Sequence, residues 1–387
     1  MDFELSPIQR ECCDSISAAV AERFAETPRP TDPESVRLAW KDAANIGLTG
    51  LCLPEEHGGA GLGALDTALA LEAFSRSCSD MGLVFGIAAH LLSCAVPVRE
   101  FGADGAAELL AGMAAGDLIA GNAMTEDEAG SDVGRIRTTA TRADGADGAD
   151  GMDGGYVLRG EKSFVSNAPI ADVFVTYAVT DPAAGFLGVS AFVVPRDLDG
   201  VHVGPPLPKV GLNSCLAARV TFEDCVVPDR YRLGAEGGGA AVFQHSMAWE
   251  RGCLFAAYLG LMERQLASCV ARTTERRQFG RKLSAFQAVS HRVARMRQRL
   301  ESARLLLYRA CWLLDQGSAD VSAIAMAKTA VSEASVANSL DAMQLFGSTG
   351  YLAGSGIEEQ LRDSLPSTVF SGTTEIQLEL IAKEAGL

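Results

Sequence analysis

The chain has 387 residues, 48% of them hydrophobic and only 21% charged, with a formal net charge of −16. That length exceeds one small core, and the acidic balance excludes nucleic acid or an anionic membrane as the main partner. The ten cysteines form no C-x-x-C pair and the five histidines are equally dispersed, which predicts a reduced, cytoplasmic protein without a metal. The N-terminus lacks the form of a signal peptide, and no stretch reaches the ~20 apolar residues of a spanning helix, so no membrane association is expected. One stretch departs from the acidic balance: residues 272–304 carry ten basic side chains against two acidic ones.

From Ser6 to about Gly116 the pattern is helical. Thr31-Asp32-Pro33-Glu34 reads as a helix start with Thr31 as cap, and Asp66–Ser75 and Met81–Val98 are apolar enough to be buried helices. Near Leu118 the character changes to short β-prone pieces at Tyr156–Arg159, Asp172–Ala178, Val189–Val194, His202–Val203 and Ala218–Phe222. Gly, Pro and Asp separate them, as in an antiparallel sheet or small barrel. The acidic repeat at 143–155 reads as a flexible hairpin insertion. Helical periodicity returns near Gly239 in long segments with short connections, which predicts an antiparallel bundle. The expected architecture is α+β but mainly α: an N-terminal helical domain (1–117), a middle antiparallel β domain (118–236) and a C-terminal four-helix bundle (237–387).

GGAGLG (58–63) lacks the preceding strand and the later acidic residue of a dinucleotide fingerprint, and so reads as a turn. AMTEDEAGSD (123–132) gathers hydroxyls and a glycine in a tight turn, suited to a heterocycle edge and a phosphate. YVLRGEKSFVSNAP (156–169) reads as a strand bearing Phe164 and Ser166. RRQFGRKLSAFQ (276–287) opens the bundle, and SGTTEIQ (371–377) lies near the end.

In this order, these elements resemble the acyl-CoA dehydrogenase family of flavoproteins over essentially the whole chain. The resemblance implies bound FAD, lined by Met124, Thr125, Gly130 and Ser131 in the T-E-x-x-A-G-S-D turn. It sets Phe164 and Ser166 where the family has the W-I-T strand against the flavin. Arg276 and Phe279 belong to the match to the R-x-Q-F-G segment (276–280), which Gln287 follows, and Gln344 and Gly347 match the Q-x-x-G-G-x-G turn, with Ser348 replacing the second glycine. Arg276, Gln287 and Gln344 are thereby expected to reach the FAD of a neighbouring subunit in a homotetramer or homodimer. Thr373 and Glu375 remain to hold FAD. Arg295 stands where the family usually has an acidic residue.

The implied reaction is α,β-desaturation of an acyl thioester, carried on CoA or a carrier protein. A base takes the α-proton, a hydride goes to the flavin, and a separate acceptor reoxidises it. In most of the family the base is a Glu in E-G-T-x-x-I-Q; here that position is Ser371, followed by Gly372. The chain instead resembles the isovaleryl-CoA and long-chain acyl-CoA dehydrogenases, whose base lies on a C-terminal helix, and the matching residue in MAWERGCLFAAYLGLM (247–262) is Glu250. A carboxylate in so apolar a helix is a strong proton acceptor. Pairing of Glu250 with Arg251 is the structural alternative. At the level of function, the alternatives are a family member using flavin for monooxygenase- or oxidase-like chemistry, and a non-catalytic FAD-bound scaffold.

Overall fold

The computed structural model describes residues 4–24, 29–143 and 154–387. Most of the acidic repeat therefore lies outside the described residues. The N-terminal part holds helices α1 (Pro7–Phe24), α2 (Pro33–Asn45), α3 (Ala64–Ser77), α4 (Met81–Ala89), α5 (Val96–Phe101), α6 (Asp104–Ala107) and α7 (Leu109–Ala114). The cap of α2 is Asp32, not Thr31: its carboxylate accepts from the N–H groups of Glu34 and Ser35 at 3.1 and 3.0 Å. A carboxylate adjacent to Pro in the first turn satisfies two orphan donors and suits the helix dipole.

A π-helical turn, His90–Ala95, joins α4 to α5 into one rod. Contrary to expectation, the rod Met81–Phe101 is long and apolar enough to cross a membrane, but its apolar window is wholly buried in the protein. It is the central helix of the core. His90 fastens it to the sheet: Nδ1 accepts from the Ala120 N–H at 3.0 Å, and Nε2 faces the Met113 carbonyl at 3.4 Å. One neutral tautomer serves both contacts, and burial holds the imidazole down at about 4. Because that value lies below the unfolded value of about 6.5, His90 contributes stability that is full above pH 6.5 and is lost as pH falls toward 4. The loss is about 3 kcal/mol. We expect urea midpoints to fall more steeply between pH 7 and 4.5 in the native protein than in His90→Asn; equal slopes would refute this.

The middle part is one eight-stranded sheet. Its strands are β1 (Ala120–Ala123), β2 (Thr139–Arg142), β3 (Gly155–Ser166), β4 (Val173–Val179), β5 (Val189–Pro195), β6 (Val201–Val203), β7 (Ala217–Pro228) and β8 (Arg232–Leu233). Their order is β6-β7-β3-β2-β4-β5-β8, with β1 beside β4. Most pairs are antiparallel, as the alternation predicts, but β4 pairs in parallel with both β1 and β2. Sequence reading misses β1 because AGNA has no β-branched residue to mark it.

The C-terminal part begins with α8 (Gly239–Trp249), a second π-helical turn (Glu250–Leu254) and α9 (Ala256–Glu275). A two-stranded ribbon, β9 (Arg277–Gln278) and β10 (Arg281–Lys282), leads to α10 (Gln287–Asp315) and α11 (Val321–Phe346). Then come α12 (Ile357–Ser364) and α13 (Thr374–Glu384). Its apolar faces share one core with α1–α4. Asp315 at the end of α10 caps α3 from across that core, accepting from the N–H groups of Ala64 and Leu65 at 2.6 and 3.0 Å. This accounts for Gly63 in the glycine-rich turn, where a Cβ would stand 2.6 Å from the Asp315 carboxylate.

Candidate active site

Both π-helical turns face the same space, and each inserts a polar side chain into an apolar wall. Such bulges widen a helix by one residue and recur at functional sites. Glu250, 7% exposed, lies on the second turn. Ser93 on the first donates to its Oε2 at 2.5 Å. The Ser371 hydroxyl donates to Oε1. Glu250 and Ser371, read separately from segments far apart, are thus in contact. The alternative pairing with Arg251 is not formed: the Arg251 guanidinium donates through Nε to the Ser371 carbonyl at 2.8 Å.

The loop carrying Ser371 is under backbone constraint. Ser371 and Gly372 take φ of 56° and 87°. At Gly372 a Cβ would meet the Gln377 amide nitrogen at 2.7 Å, so only glycine fits without displacement. Gln377 donates to the carbonyls of Ser371 and Gly372 at 3.2 and 3.1 Å, and Thr373 caps α13. Phe370, just before the loop, packs against Phe85, Phe255 and Tyr258 with ring centroids 4.7, 5.4 and 6.1 Å away. These rings form an apolar wall. Lys328 lies fully buried over the Phe255 ring, its Nζ without a hydrogen-bond partner, and burial with the nearby Arg251 charge pushes it down to about 8.

A cavity of ≈ 620 Å³ opens beside Arg251, lined by Phe243, His245, Trp249, Leu314 and Leu380 among others. Glu250 does not line it. The His245 Nε2 in this wall has no partner.

On the sheet side, the Ser163 N–H donates to the Thr125 carbonyl at 2.8 Å, which brings the 123–132 turn beside the strand bearing Phe164 and Ser166. Met124 is buried, while Gly130 and Ser131 are exposed, and a Cβ at Gly130 would meet nothing. Phe164 sits in a register shift of β3 at φ 55° and is 65% exposed. An aromatic ring held outward at such a backbone angle is strained and has no packing reason to be there. On β1 the Asn122 Oδ1 is buried and unpartnered. An exposed ring face beside a hydroxyl-bearing turn, with an orphaned amide oxygen on the adjoining strand, fits a planar cofactor with polar edges.

The turn is braced from behind. Glu126 accepts from Lys162 at 2.8 Å, from the N–H and hydroxyl of Thr138 at 3.0 and 2.6 Å, and from the Arg137 N–H at 2.7 Å. The Lys162 ammonium also donates to the Tyr177 carbonyl at 2.7 Å. Burial pushes Lys162 down to about 8 against the pull of Glu126.

The remaining expected residues stand on open surface. Arg276, Phe279 and Gln287 surround the β9–β10 ribbon, with Phe279 93% exposed at its tip. Gln344 and Gly347, at the end of α11, are also exposed, as is Glu375 at the start of α13. The basic run is less free than its charge suggests. Arg292 and Arg299 pair with Asp341, Arg297 with Glu301, and Arg304 with Glu72, Glu263 and Glu301. Nothing in the fold explains Arg295.

Sequence reasoning missed Ser93, Gln377 and Lys328. A signal existed for Ser93: His90 and Ser93, three apart, are the only polar side chains in MGLVFGIAAHLLSCAVPV. Both are in use.

Models of the N-terminal, middle and C-terminal domains of acyl-CoA dehydrogenase match residues 6–117, 121–225 and 237–386. The chain is 49% identical over 389 residues to the L-prolyl-(peptidyl-carrier protein) dehydrogenase of Pseudomonas fluorescens, covering 100% of both. It is 41% identical to the enzyme of the same name from Serratia sp., covering 100% of this chain and 99% of that one. The solved structure of PigA with FAD and proline superposes with a TM-score of 0.93 at 40% identity, covering 100% of both chains. The chain is an FAD-dependent oxidoreductase that dehydrogenates an acyl thioester, and it belongs to the acyl-CoA dehydrogenase family.

Proposed function

We propose that the protein oxidises an L-prolyl thioester held on a peptidyl carrier protein, with Glu250 as the base that removes the α-proton. The observation that carries the base assignment is the buried Glu250 carboxylate, held by the hydroxyls of Ser93 and Ser371 and left unpaired by Arg251. Burial excludes water from the proton transfer. Ser371 keeps a hydroxyl that orients the base but has no partner that would make it one. The substrate assignment is supported by the two prolyl-carrier dehydrogenases and by the relative solved with proline. The apolar cavity beside Arg251 has the size of a small-ligand pocket and suits a thioester arm.

FAD, when bound, supplies the acceptor for the β-hydride. Within one subunit we assign to its binding Met124, Thr125, Gly130, Ser131, Phe164, Ser166, Thr373 and Glu375. The chain is read as a homo-oligomer, dimer or tetramer, whose neighbouring subunit contributes Arg276, Phe279, Gln287, Gln344 and Gly347. A guanidinium on an exposed ribbon suits a pyrophosphate, and a bare phenylalanine at the tip suits an interface. Exposed Trp312 and Leu340 on α10 and α11 add to that surface. A separate acceptor reoxidises the reduced cofactor.

The test is anaerobic flavin bleaching against a panel of acyl-CoAs and acyl-carrier proteins. We expect prolyl-carrier protein to reduce the flavin at least ~10-fold faster than prolyl-CoA, because the carrier adds contacts of its own. Equal or faster reduction by a CoA ester would overturn the carrier assignment.

A further inference from the structure

The two hydroxyls on Glu250 come from unlike places. Ser371 belongs to a surface loop at positive φ, whereas Ser93 is 1% exposed in the middle of the buried rod. Ser93 is itself fixed. Its carbonyl accepts from the Ser246 hydroxyl at 3.4 Å, and the next residue but two before it, His90, ties the same π turn to β1. Each hydroxyl occupies a different carboxylate oxygen, so the carboxylate plane is set from two sides. A substrate α-carbon gains the widest access at the oxygen whose hydroxyl partner can yield. The loop hydroxyl can swing away without disturbing the core; the rod hydroxyl cannot.

We propose that Ser93 is a positioning residue that holds Oε2 of Glu250 so that Oε1, once the Ser371 hydroxyl gives way, receives the α-proton. The Ser93 proton stays on its own oxygen throughout, so the group directs the transfer without entering it. This deepens the assignment of Glu250 as base and rests on it. Other titratable groups around the carboxylate are Cys94 on the same turn as Ser93, Tyr177 on β4, and Arg251. Burial pushes Cys94 and Tyr177 up, so both stay neutral across the working range, and Arg251, though lowered by burial, stays charged. Lys328, which burial and the nearby Arg251 charge push down to about 8, titrates within that range, so the rate at one pH, and not a pH profile, reports on the carboxylate.

The experiment is anaerobic single-turnover flavin reduction over a range of prolyl-carrier protein concentrations, in FAD-loaded Ser93→Ala, Ser93→Cys and Ser93→Thr. Loss of a hydrogen bond to a charged group predicts reduction slowed about 10- to 100-fold in Ser93→Ala. It also places the whole loss in the limiting rate and leaves the affinity for prolyl-carrier protein unchanged, because the positioned oxygen acts on the chemical step. Ser93→Cys, which keeps the volume but not the strong donor, behaves alike, and Ser93→Thr restores the rate. A native limiting rate in Ser93→Ala or Ser93→Cys overturns the proposal, as does a loss of affinity without loss of rate, or a Ser93→Thr as slow as Ser93→Ala. If Glu250→Gln still reduces flavin, the base assignment itself fails. If Glu250→Gln is inert while Ser93→Ala is native-like, only the role of Ser93 falls.

Discussion

Replacing Glu250 by Gln is expected to slow flavin reduction by about 10²–10⁴-fold while FAD remains bound. The substitution keeps size; its carbonyl oxygen can accept from one of the Ser93 and Ser371 hydroxyls while its amide N–H donates to the other, so the packing of the two π-helical turns survives. What disappears is the proton acceptor. Because loss of general-base catalysis acts on the chemical step, the fall belongs in the single-turnover rate rather than in substrate affinity. Stopped-flow absorbance of the flavin under anaerobic conditions reads it directly, and a rate within threefold of native would refute the assignment.

The second large effect is one of stability. Glu126→Ala removes the carboxylate paired with Lys162, which is 0% exposed, and strands the donors of Arg137 and Thr138. Breaking a buried pair in this way costs about 3–5 kcal/mol, because the remaining charge keeps only the carbonyls of Tyr177 and Met124 and has no counter-charge. The 123–132 turn should loosen as a consequence, and FAD should dissociate more readily. The double variant Glu126→Gln with Lys162→Met should recover part of the loss, since the Gln carbonyl still accepts from Thr138 and Met fills the space without a charge, while the Arg137 N–H loses its acceptor. Urea unfolding with FAD content measured in parallel checks both statements. A single variant within 1 kcal/mol of native would contradict them.

The sequence carries the outline of this protein unevenly. Long helices are legible because an apolar period of 3.6 must be buried somewhere, and the long C-terminal segments expected from Gly239 onward appear as α9, α10 and α11. Strand β1 is not legible, because its small residues owe their extended form to pairing with β4. The buried rod is legible as a buried helix over Met81–Val98, but the roles of His90 and Ser93 within it are not. In fact both side chains are partnered inside the core.

The site divides along the same line. Glu250 stands out in sequence because a carboxylate in an apolar helix needs a reason, and Phe164 stands out because it falls where the family has the W-I-T strand. Their partners do not. Ser93 lies 157 residues from Glu250 along the chain, and nothing in either segment names the other. The basic run illustrates the reverse error. Its charge density suggests a docking surface, yet Asp341, Glu72, Glu263 and Glu301 neutralise four of its arginines through contacts that only the folded bundle creates.

The central claim is that the base sits on the α8–α9 helix wall and not on the loop where most of the family carries it. The most direct measurement is single-turnover flavin reduction by prolyl-carrier protein in Glu250→Gln and Ser371→Ala, side by side and both loaded with FAD. The account predicts that Glu250→Gln is slowed at least ~100-fold, while Ser371→Ala, which loses one hydroxyl and keeps the loop backbone, stays within ~10-fold of native. A crippled Ser371→Ala beside a Glu250→Gln that reduces at the native rate would contradict it.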